Sequence, residues 1–309
     1  MSLRKLLAYG AIYVLWGGSF LAIRILVAHV PPFFAAGSRM TLAGLVLVAY
    51  SHLRGAAQYP KYSIRNASAL GFLMFTVMYA ALFWGEVRVS SGIAAVISAM
   101  IPVWIFAGEV VLLRTQKVTV PSIAGILLGF AGVVVLADGS RTASAGRASA
   151  LAIAVMAGGT LCWAGGTLWS RRLALPKPPT ASAGWQMATG GALLLLLSVA
   201  IGEMRHVPGA EVLLRVRILA CMAYLVIAAS ILAYTAYVWL IEHEPASRVA
   251  SYAYVNPVIA LIAGALLADE RLSALQLLGV LLVLAGVLVT LRARRPVPDT
   301  RTVSRKMMA

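Results

Sequence analysis

The sequence predicts an all-α integral membrane protein, with ten transmembrane helices in two inverted five-helix repeats. Three observations support this prediction. Of the 309 residues, 61% are hydrophobic and only 12% are charged, whereas charged residues make up about 25% of soluble domains. The chain contains ten apolar runs of membrane-spanning length. Its two halves also resemble each other, and each half holds five of these runs.

The apolar runs are about 20 residues long, which is the length of helix that crosses the hydrocarbon core of a bilayer. They are rich in Leu, Ala, Gly and Val, and they lack the alternation over about ten residues that is typical of barrel strands. Helices are therefore the prediction. The runs cover residues 6–24, 32–53, 68–86, 89–112, 119–137, 149–170, 181–201, 217–241, 247–268 and 273–291.

The charged residues predict the orientation in the membrane. The net charge is +16, yet no basic face with interleaved aromatic residues is present, so we expect no nucleic-acid partner. If the N-terminus is cytoplasmic, the cytoplasmic segments hold 17 Lys and Arg residues and the outer segments hold 8. The positive-inside rule then predicts a multi-pass protein with both termini in the cytoplasm; the resemblance described below implies the cell inner membrane. Residues 292–309 are polar and predict a disordered basic cytoplasmic tail.

An internal repeat divides the chain into a first five-helix repeat, residues 1–140, and a second, residues 141–291. Because five is odd, the second copy must enter the membrane from the opposite side. Inverted repeats are typical of secondary transporters, in which two related halves expose one site to either side. Offsets of 147, 155 and 154 residues pair Trp16 with Trp163, Gly37 with Gly184, Arg39 with Gln186, Gly44 with Gly191, Tyr79 with Tyr234, Trp84 with Trp239, Pro102 with Pro257, Gly125 with Gly279 and Gly132 with Gly286.

Motifs of soluble and membrane enzymes are absent from the sequence, which has no GxSxG, HExxH or Walker A pattern. We therefore expect neither enzymatic activity nor ATP hydrolysis, and no metal or cofactor. Cys162 and Cys221 lie inside apolar runs, where cysteine behaves as a small hydrophobic residue.

Two charged residues within the runs have alternative interpretations. Arg39 lies about 10 Å into the second run, at 1.5 Å per residue. Its side chain either extends to the interface or faces the cavity, where a guanidinium binds a carboxylate or phosphate in a bidentate manner. Glu109 is predicted to be the only acidic residue inside a span. It is either an interfacial carboxylate or a proton-coupling group.

Aromatic residues, prolines and small polar residues complete the predicted site. Trp16 and Trp163 lie deep in their spans, and their pairing in the repeat favours a cavity wall. Pro102 and Pro257 are predicted to interrupt two spans at matching points, either as binding elements or as structural kinks. The predicted substrate-binding residues are Arg39, Trp16, Ser19, Tyr79, Ser98, Pro102, Trp163, Gln186, Tyr234, Asn256 and Pro257.

Over residues 6–291 the sequence resembles the EamA-like branch of the drug/metabolite transporter superfamily, a group of ten-helix exporters. The order and spacing of several motifs carry the resemblance, which implies a basket of helices around a cavity and the export of metabolites, often amino acids, from the bacterial cytoplasm. The motifs are Trp16-Gly17-Gly18-Ser19-Phe20, Ser38-Arg39-Met40, Ile101-Pro102-Val103-Trp104, Trp185-Gln186, Asn256-Pro257-Val258 and Asp269-Glu270-Arg271-Leu272.

The leading functional hypothesis is a secondary transporter that exports a small molecule by alternating access. We expect a monomer in the lipid bilayer, because ten helices can enclose a cavity alone. An uptake carrier or exchanger of the same fold, or a drug efflux protein, is the alternative. A membrane-embedded enzyme would need a clustered catalytic set, and a structural or receptor role would not require inverted repeats.

Overall fold

The computed structural model describes residues 3–115, 117–141, 146–244, 249–270 and 272–293. The predicted tail lies outside these residues after Ala293. Within the described ranges the chain is helical apart from connections and one isolated bridge between Gln58 and Lys177. The long helices are α1 Leu3–Val27, α2 Pro32–Leu53, α3 Ser63–Glu86, α4 Ser91–Val111, α5 Val120–Arg141, α6 Gly146–Ser170, α7 Pro179–Ala200, α8 Val216–His243, α9 Tyr252–Ala268 and α10 Ala274–Arg292.

Seven helices in the described part of the chain are long and apolar enough to cross a membrane: α1 to α4, α6 from Ser149 onwards, α7 and α8. The apolar segments of the other three helices are shorter and cover Val120–Val135, Val255–Ala268 and Ala274–Thr290. The prediction of an all-α membrane fold is thus confirmed. The count of ten spans stays a prediction, because the apolar segments described in these three helices are shorter than those of the other seven.

Two contacts mark the end of the bundle at which α1 begins. Where α1 begins, Lys5 Nζ forms an ion pair with the Glu244 carboxylate at 2.5 Å. At the same end, the backbone N–H of Gln58 donates to the carbonyl of Lys177 at 2.8 Å. We call this the terminal end, and we call the end at which α1 finishes the opposite end.

Helices α2 and α7 pack closely through glycines. A Cβ on Gly37 would lie 3.0 Å from the carbonyl oxygen of Gly191, and one on Gly184 would lie 3.1 Å from that of Gly44. Only glycine permits so close an approach of two backbones. Gly37 and Gly184 are partners in the predicted repeat, as are Gly44 and Gly191. The contacts are therefore reciprocal, which is the pattern that a two-fold pseudo-symmetry axis produces.

Helices α5 and α10 repeat this arrangement. A Cβ on Gly125 would lie 2.9 Å from the carbonyl oxygen of Gly286, and one on Gly132 would lie 2.9 Å from that of Gly279. Gly125 is the repeat partner of Gly279, and Gly132 is the partner of Gly286. Two reciprocal glycine contacts on different helix pairs favour the inverted repeat, whose boundary at residues 140 and 141 remains a prediction.

Three long helices contain π-helical turns, at Ala11–Leu15 in α1, Phe72–Val77 in α3 and Tyr224–Leu232 in α8. The turns in α3 and α8 overlap at the repeat offset of 155 residues. A π turn changes the usual hydrogen-bond register, and such turns are frequent at functional sites. Side chains donate to carbonyls of these turns in three places: Trp16 Nε1 to Ala229 at 2.9 Å, Arg39 Nε to Leu225 at 3.2 Å and Tyr224 Oη to Leu15 at 2.8 Å.

The two paired prolines differ in local structure. Helix α4 is interrupted at Ala99 and Met100, and Pro102 lies in the first turn of its second segment, where the missing N–H is tolerated. Pro257 instead lies inside the continuous helix α9. The predicted interruption is confirmed for α4 and is wrong for α9, since the loss of one internal hydrogen bond does not by itself end a helix.

Candidate functional site

A cavity of about 730 Å³ runs from the terminal end into the bundle, and we call it the main cavity. Exposed residues line its mouth, among them Arg171, Lys177 and His243. Buried Gln186 and Tyr234 lie at its inner limit, each only 2% exposed. The volume lies in the range of small-molecule sites.

The inner limit of the main cavity is polar and internally paired. Tyr234 Oη donates to Gln186 Oε1 at 2.6 Å, and Gln186 Nε2 donates to Ser182 Oγ at 2.9 Å. The hydroxyls of Thr167 and Tyr237 are 2.7 Å apart. These bonds hold the orientation of each group, so a molecule that reaches this point meets a fixed arrangement of donors and acceptors.

Seven aromatic side chains form a layer that begins at this limit and continues beyond it. Ring centroids of Trp16 and Trp163 are 5.8 Å apart in an edge-to-face arrangement, and those of Phe75 and Tyr234 are 4.8 Å apart. Such geometries are the favoured ones for aromatic pairs. The aromatic layer consists of Trp16, Phe75, Tyr79, Trp163, Tyr234, Tyr237 and Tyr252.

A smaller chamber of about 60 Å³ lies against four members of the aromatic layer, Trp16, Tyr79, Trp163 and Tyr252. We call it the inner chamber. Its volume admits a few water molecules but no metabolite. Seven of the eleven predicted substrate-binding residues line it, namely Trp16, Ser19, Tyr79, Ser98, Trp163, Asn256 and Pro257.

The other four predicted residues have different positions. Gln186 and Tyr234 line the main cavity. Pro102 is buried in α4, and neither Pro102 nor Arg39 is among the residues that line the two cavities. Substrate binding by all eleven residues stays a prediction.

Arg39 is buried in the bundle and only 1% exposed. Its Nε donates to Ser230 Oγ at 3.0 Å and to the carbonyl of Leu225 at 3.2 Å, so it connects α2 to the π turn of α8. Its guanidinium carbon lies 5.3 Å from the ring centroid of Tyr79, a cation–π distance. The interpretation in which Arg39 extends to the interface is therefore wrong, because the side chain points inward and lies behind Tyr79 in the chamber wall.

Asn256 joins α9 to α1. With its amide nitrogen facing α1, it donates to the carbonyl of Tyr13 at 2.9 Å and to that of Ile12 at 3.3 Å. Both carbonyls belong to the π turn of α1. One face of Asn256 therefore serves helix packing, while the residue also borders the inner chamber.

Carboxylates connect the two halves of the chain at the opposite end. Glu270 accepts hydrogen bonds from the backbone N–H and the hydroxyl of Ser91, at 3.0 and 2.7 Å, at the start of α4. Glu203 accepts from the N–H groups of Phe33 and Phe34, at 3.3 and 2.9 Å, at the start of α2. A carboxylate at a helix N-terminus is stabilised by the helix dipole. Both contacts hold the opposite end together.

Sequence reasoning missed Glu86, the last residue of α3. The prediction that Glu109 is the only acidic residue in a span is wrong, because α3 extends through Glu86 and leaves it 0% exposed. Glu109 is only partly buried. A signal was present in the apolar and aromatic residues around Glu86, but the predicted run ended at this position. Within the described ranges, no group of three or more His, Cys, Asp or Glu could hold a metal ion.

Comparisons with known proteins agree with this architecture. The model of the EamA-like transporter family matches residues 6–137 and 150–292. A protein of Escherichia coli strain K12 named "uncharacterized inner membrane transporter YedA" is 34% identical over 299 residues, which cover 94% of this chain and 93% of the relative. A Salmonella typhimurium protein named "probable amino-acid metabolite efflux pump" is 26% identical over 92% of this chain and 94% of its own length.

A solved crystal structure of a protein has the same fold, with a TM-score of 0.64 at 22% identity, and the match covers 94% of this chain and 97% of the other. The family match extends over both halves of the chain, and its members are transporters and not enzymes. A membrane-embedded bundle, a cavity that enters it from one end and a family match over most of its length thus agree. This chain belongs to the EamA-like transporter family.

Proposed function

We propose that this chain is a secondary transporter that exports small metabolites, amino acids or related compounds, by alternating access. The main cavity is the observation that carries the proposal. It enters the bundle from the terminal end and stops at the aromatic layer, while carboxylate contacts join the two halves at the opposite end. One state of an alternating-access cycle has this asymmetry.

The reciprocal glycine contacts supply a mechanical basis for the second state. Two inverted halves that touch through the same residues can exchange their conformations, which moves the access route to the other side of a central site. The interruption of α4 before Pro102 and the π turns of α3 and α8 are irregular backbone segments at which such a change can take place.

The chemistry around the cavities fits an amino-acid-like substrate. Aromatic faces attract an ammonium group, and Gln186 and Tyr234 offer hydrogen-bonding groups at the inner limit of the main cavity. The buried guanidinium of Arg39 behind Tyr79 adds positive charge that favours a carboxylate. The name of the Salmonella relative, a probable amino-acid metabolite efflux pump, points to the same class.

The proposed location is the bacterial inner membrane, with both termini in the cytoplasm. The terminal end then faces the cytoplasm, so the main cavity collects substrate there and export is the direction of net transport. We propose that a monomer suffices, without a cofactor. Uptake or exchange through the same cavity is the second candidate.

Flux measurements on purified protein in liposomes test the proposal. The vesicles are loaded in turn with labelled amino acids, nucleosides and cationic drugs, and saturable efflux is compared with that from protein-free vesicles. We expect saturable efflux of at least one amino acid, with competition from unlabelled compound. Saturable flux of the drugs alone would favour drug efflux. If the flux of every compound equals that from protein-free vesicles, transport of these compound classes is contradicted.

A further inference from the structure

Glu86 is a buried carboxyl group with no hydrogen-bond partner. It is the last residue of α3, lies at the opposite end of the bundle and is 0% exposed. Neither Oε1 nor Oε2 has a hydrogen-bond partner among the described residues. An ionised carboxylate in such surroundings has lost its hydration without a replacement, and this state is costly. The arrangement therefore suits a carboxyl group that carries a proton.

Three charged groups interact electrostatically with Glu86 without a hydrogen bond to its carboxyl group. The Arg24 guanidinium of α1 donates to the backbone carbonyl of Glu86 and not to its carboxyl group. Arg39 of α2 interacts with Glu86 electrostatically, but its hydrogen bonds go to Ser230 and Leu225 of α8. The third group is Glu270, before α10, whose negative charge disfavours a second carboxylate. No ion pair to Glu86 within 4 Å occurs in the described part of the chain.

The location of Glu86 connects its protonation with the closure of the opposite end. Glu270 holds the start of α4 through Ser91, which follows the end of α3 at Glu86 by five residues. Separation of these contacts would admit water to the carboxyl group and would leave the two arginines free to turn toward it. Ionisation, unfavourable in the described state, then becomes favourable.

We propose that Glu86 is a proton-binding site whose occupancy is coupled to the conformational switch. The proton is bound while the main cavity is open at the terminal end. When the opposite end opens, the O–H bond of the carboxyl group breaks, the proton passes to water at that end, and the carboxylate pairs with Arg24 or Arg39. The inference rests on the proposed transport function, for which it names a pH-dependent control of the switch: the proton is taken up from and released to the same end.

A test without substrate separates this inference from the proposed function. In a background with Cys162→Ser and Cys221→Ser, Ser170→Cys places a thiol in the wall of the main cavity. Its rate of labelling by a maleimide, in purified protein from about pH 5 to about pH 9, reports access from the terminal end. Each rate is divided by that of the same thiol in the Glu86→Gln background, which removes the pH dependence of the thiol reaction itself.

We expect the ratio of the two labelling rates to fall at least two-fold as the pH rises. The reason is that ionisation of Glu86 lowers the population of the state that is open at the terminal end. Glu211→Gln, at an exposed carboxylate of the opposite end, is the matched control and should behave as the parent does. A ratio that stays constant with pH overturns the proposal. If labelling depends on Glu86 while the liposomes show no flux, the proposed substrates fail and the proton site stands.

A second measurement on the unsubstituted chain covers the case in which Glu86→Gln does not fold. Dicyclohexylcarbodiimide reacts with protonated carboxyl groups in apolar surroundings, and the adduct is located by mass spectrometry. We expect an adduct at Glu86 at acidic and neutral pH that declines at alkaline pH. Absence of the adduct throughout this range overturns the proposal.

Discussion

Tyr234 donates a 2.6 Å hydrogen bond to Gln186, and the residues that correspond to this pair in the first half, Tyr79 and Arg39, are also in contact. The pair of Tyr234 and Gln186 is neutral and borders the main cavity. In the pair of Tyr79 and Arg39, the charged guanidinium lies 5.3 Å from the ring centroid of the tyrosine. The two halves thus bring the same positions together with different chemistry. The predicted repeat therefore leaves the two sides of the proposed substrate path unequal in charge.

Removal of the Tyr234 hydroxyl should destabilise the inner limit of the main cavity. In Tyr234→Phe, Gln186 Oε1 loses its donor in a buried place, and an unsatisfied buried acceptor costs about 1 to 3 kcal/mol. We expect a lower melting temperature of the purified protein in detergent. Tyr50→Phe, at a tyrosine 48% exposed on α2, is the control and should leave it unchanged. Equal melting temperatures of all three proteins would contradict the importance of this bond.

The Arg39 bond to Ser230 predicts coupling between α2 and α8. Hydrogen bonds of charged groups contribute about 1.5 to 3 kcal/mol. In a double-mutant cycle of Arg39→Gln and Ser230→Ala, we expect the unfolding free energies to be non-additive by about that amount. Arg39→Lys should recover only part of the stability, because an ammonium group lacks the planar arrangement of donors. Additive losses would show that the two side chains act independently.

The glycine contact of α2 with α7 predicts a position-specific response to added methyl groups. A Cβ on Gly44 would lie 2.7 Å from the carbonyl oxygen of Gly184, whereas one on Gly165 would meet nothing within 4 Å. Gly44→Ala should therefore lose about 1 to 3 kcal/mol of stability through overpacking. Gly165→Ala is the matched control in a helix interior and should be neutral or slightly stabilising. Thermal unfolding measures the stability of both variants. Equal losses of stability in the two variants would argue against close packing at Gly44.

Two alanines on opposite ends test the predicted orientation. Ala174 is exposed in the connection from α6 to α7 at the terminal end, and Ala210 is exposed before α8 at the opposite end. In cells that express a variant without native cysteines, a membrane-impermeant thiol reagent should label Ala210→Cys from outside. Ala174→Cys should react only after permeabilisation. The reverse pattern would place both termini outside and would make the main cavity face the exterior.

Periodicity and composition predict the helices well, because every long apolar run became helical in the described residues. They predict less well where helices extend into polar sequence. Helix α3 begins at Ser63, five residues before the predicted run, since a helix can extend beyond the apolar residues that define a run. Glu86 was missed for another reason: it ends the predicted run, and its burial comes from its neighbours on other helices and not from its own sequence.

The candidate site was predictable to the extent that it depends on the repeat. Seven residues chosen from paired aromatics, prolines and small polar residues line one chamber. The position of Arg39 was not predictable, because its acceptor is a carbonyl in a π turn of α8, 186 residues away in the sequence. A single sequence does not reveal a π turn, which results from tertiary packing.

The reciprocal contact between α2 and α7 has a consequence for biosynthesis. Gly44 and Gly184 are separated by about 140 residues, which a ribosome adds in on the order of 10 s. During that interval the glycine face of α2 has no native partner and is covered by lipid or by the insertion machinery. Assembly of the first half therefore stays incomplete until α7 arrives, and nascent chains that end before Pro179 should be preferred targets of membrane proteases.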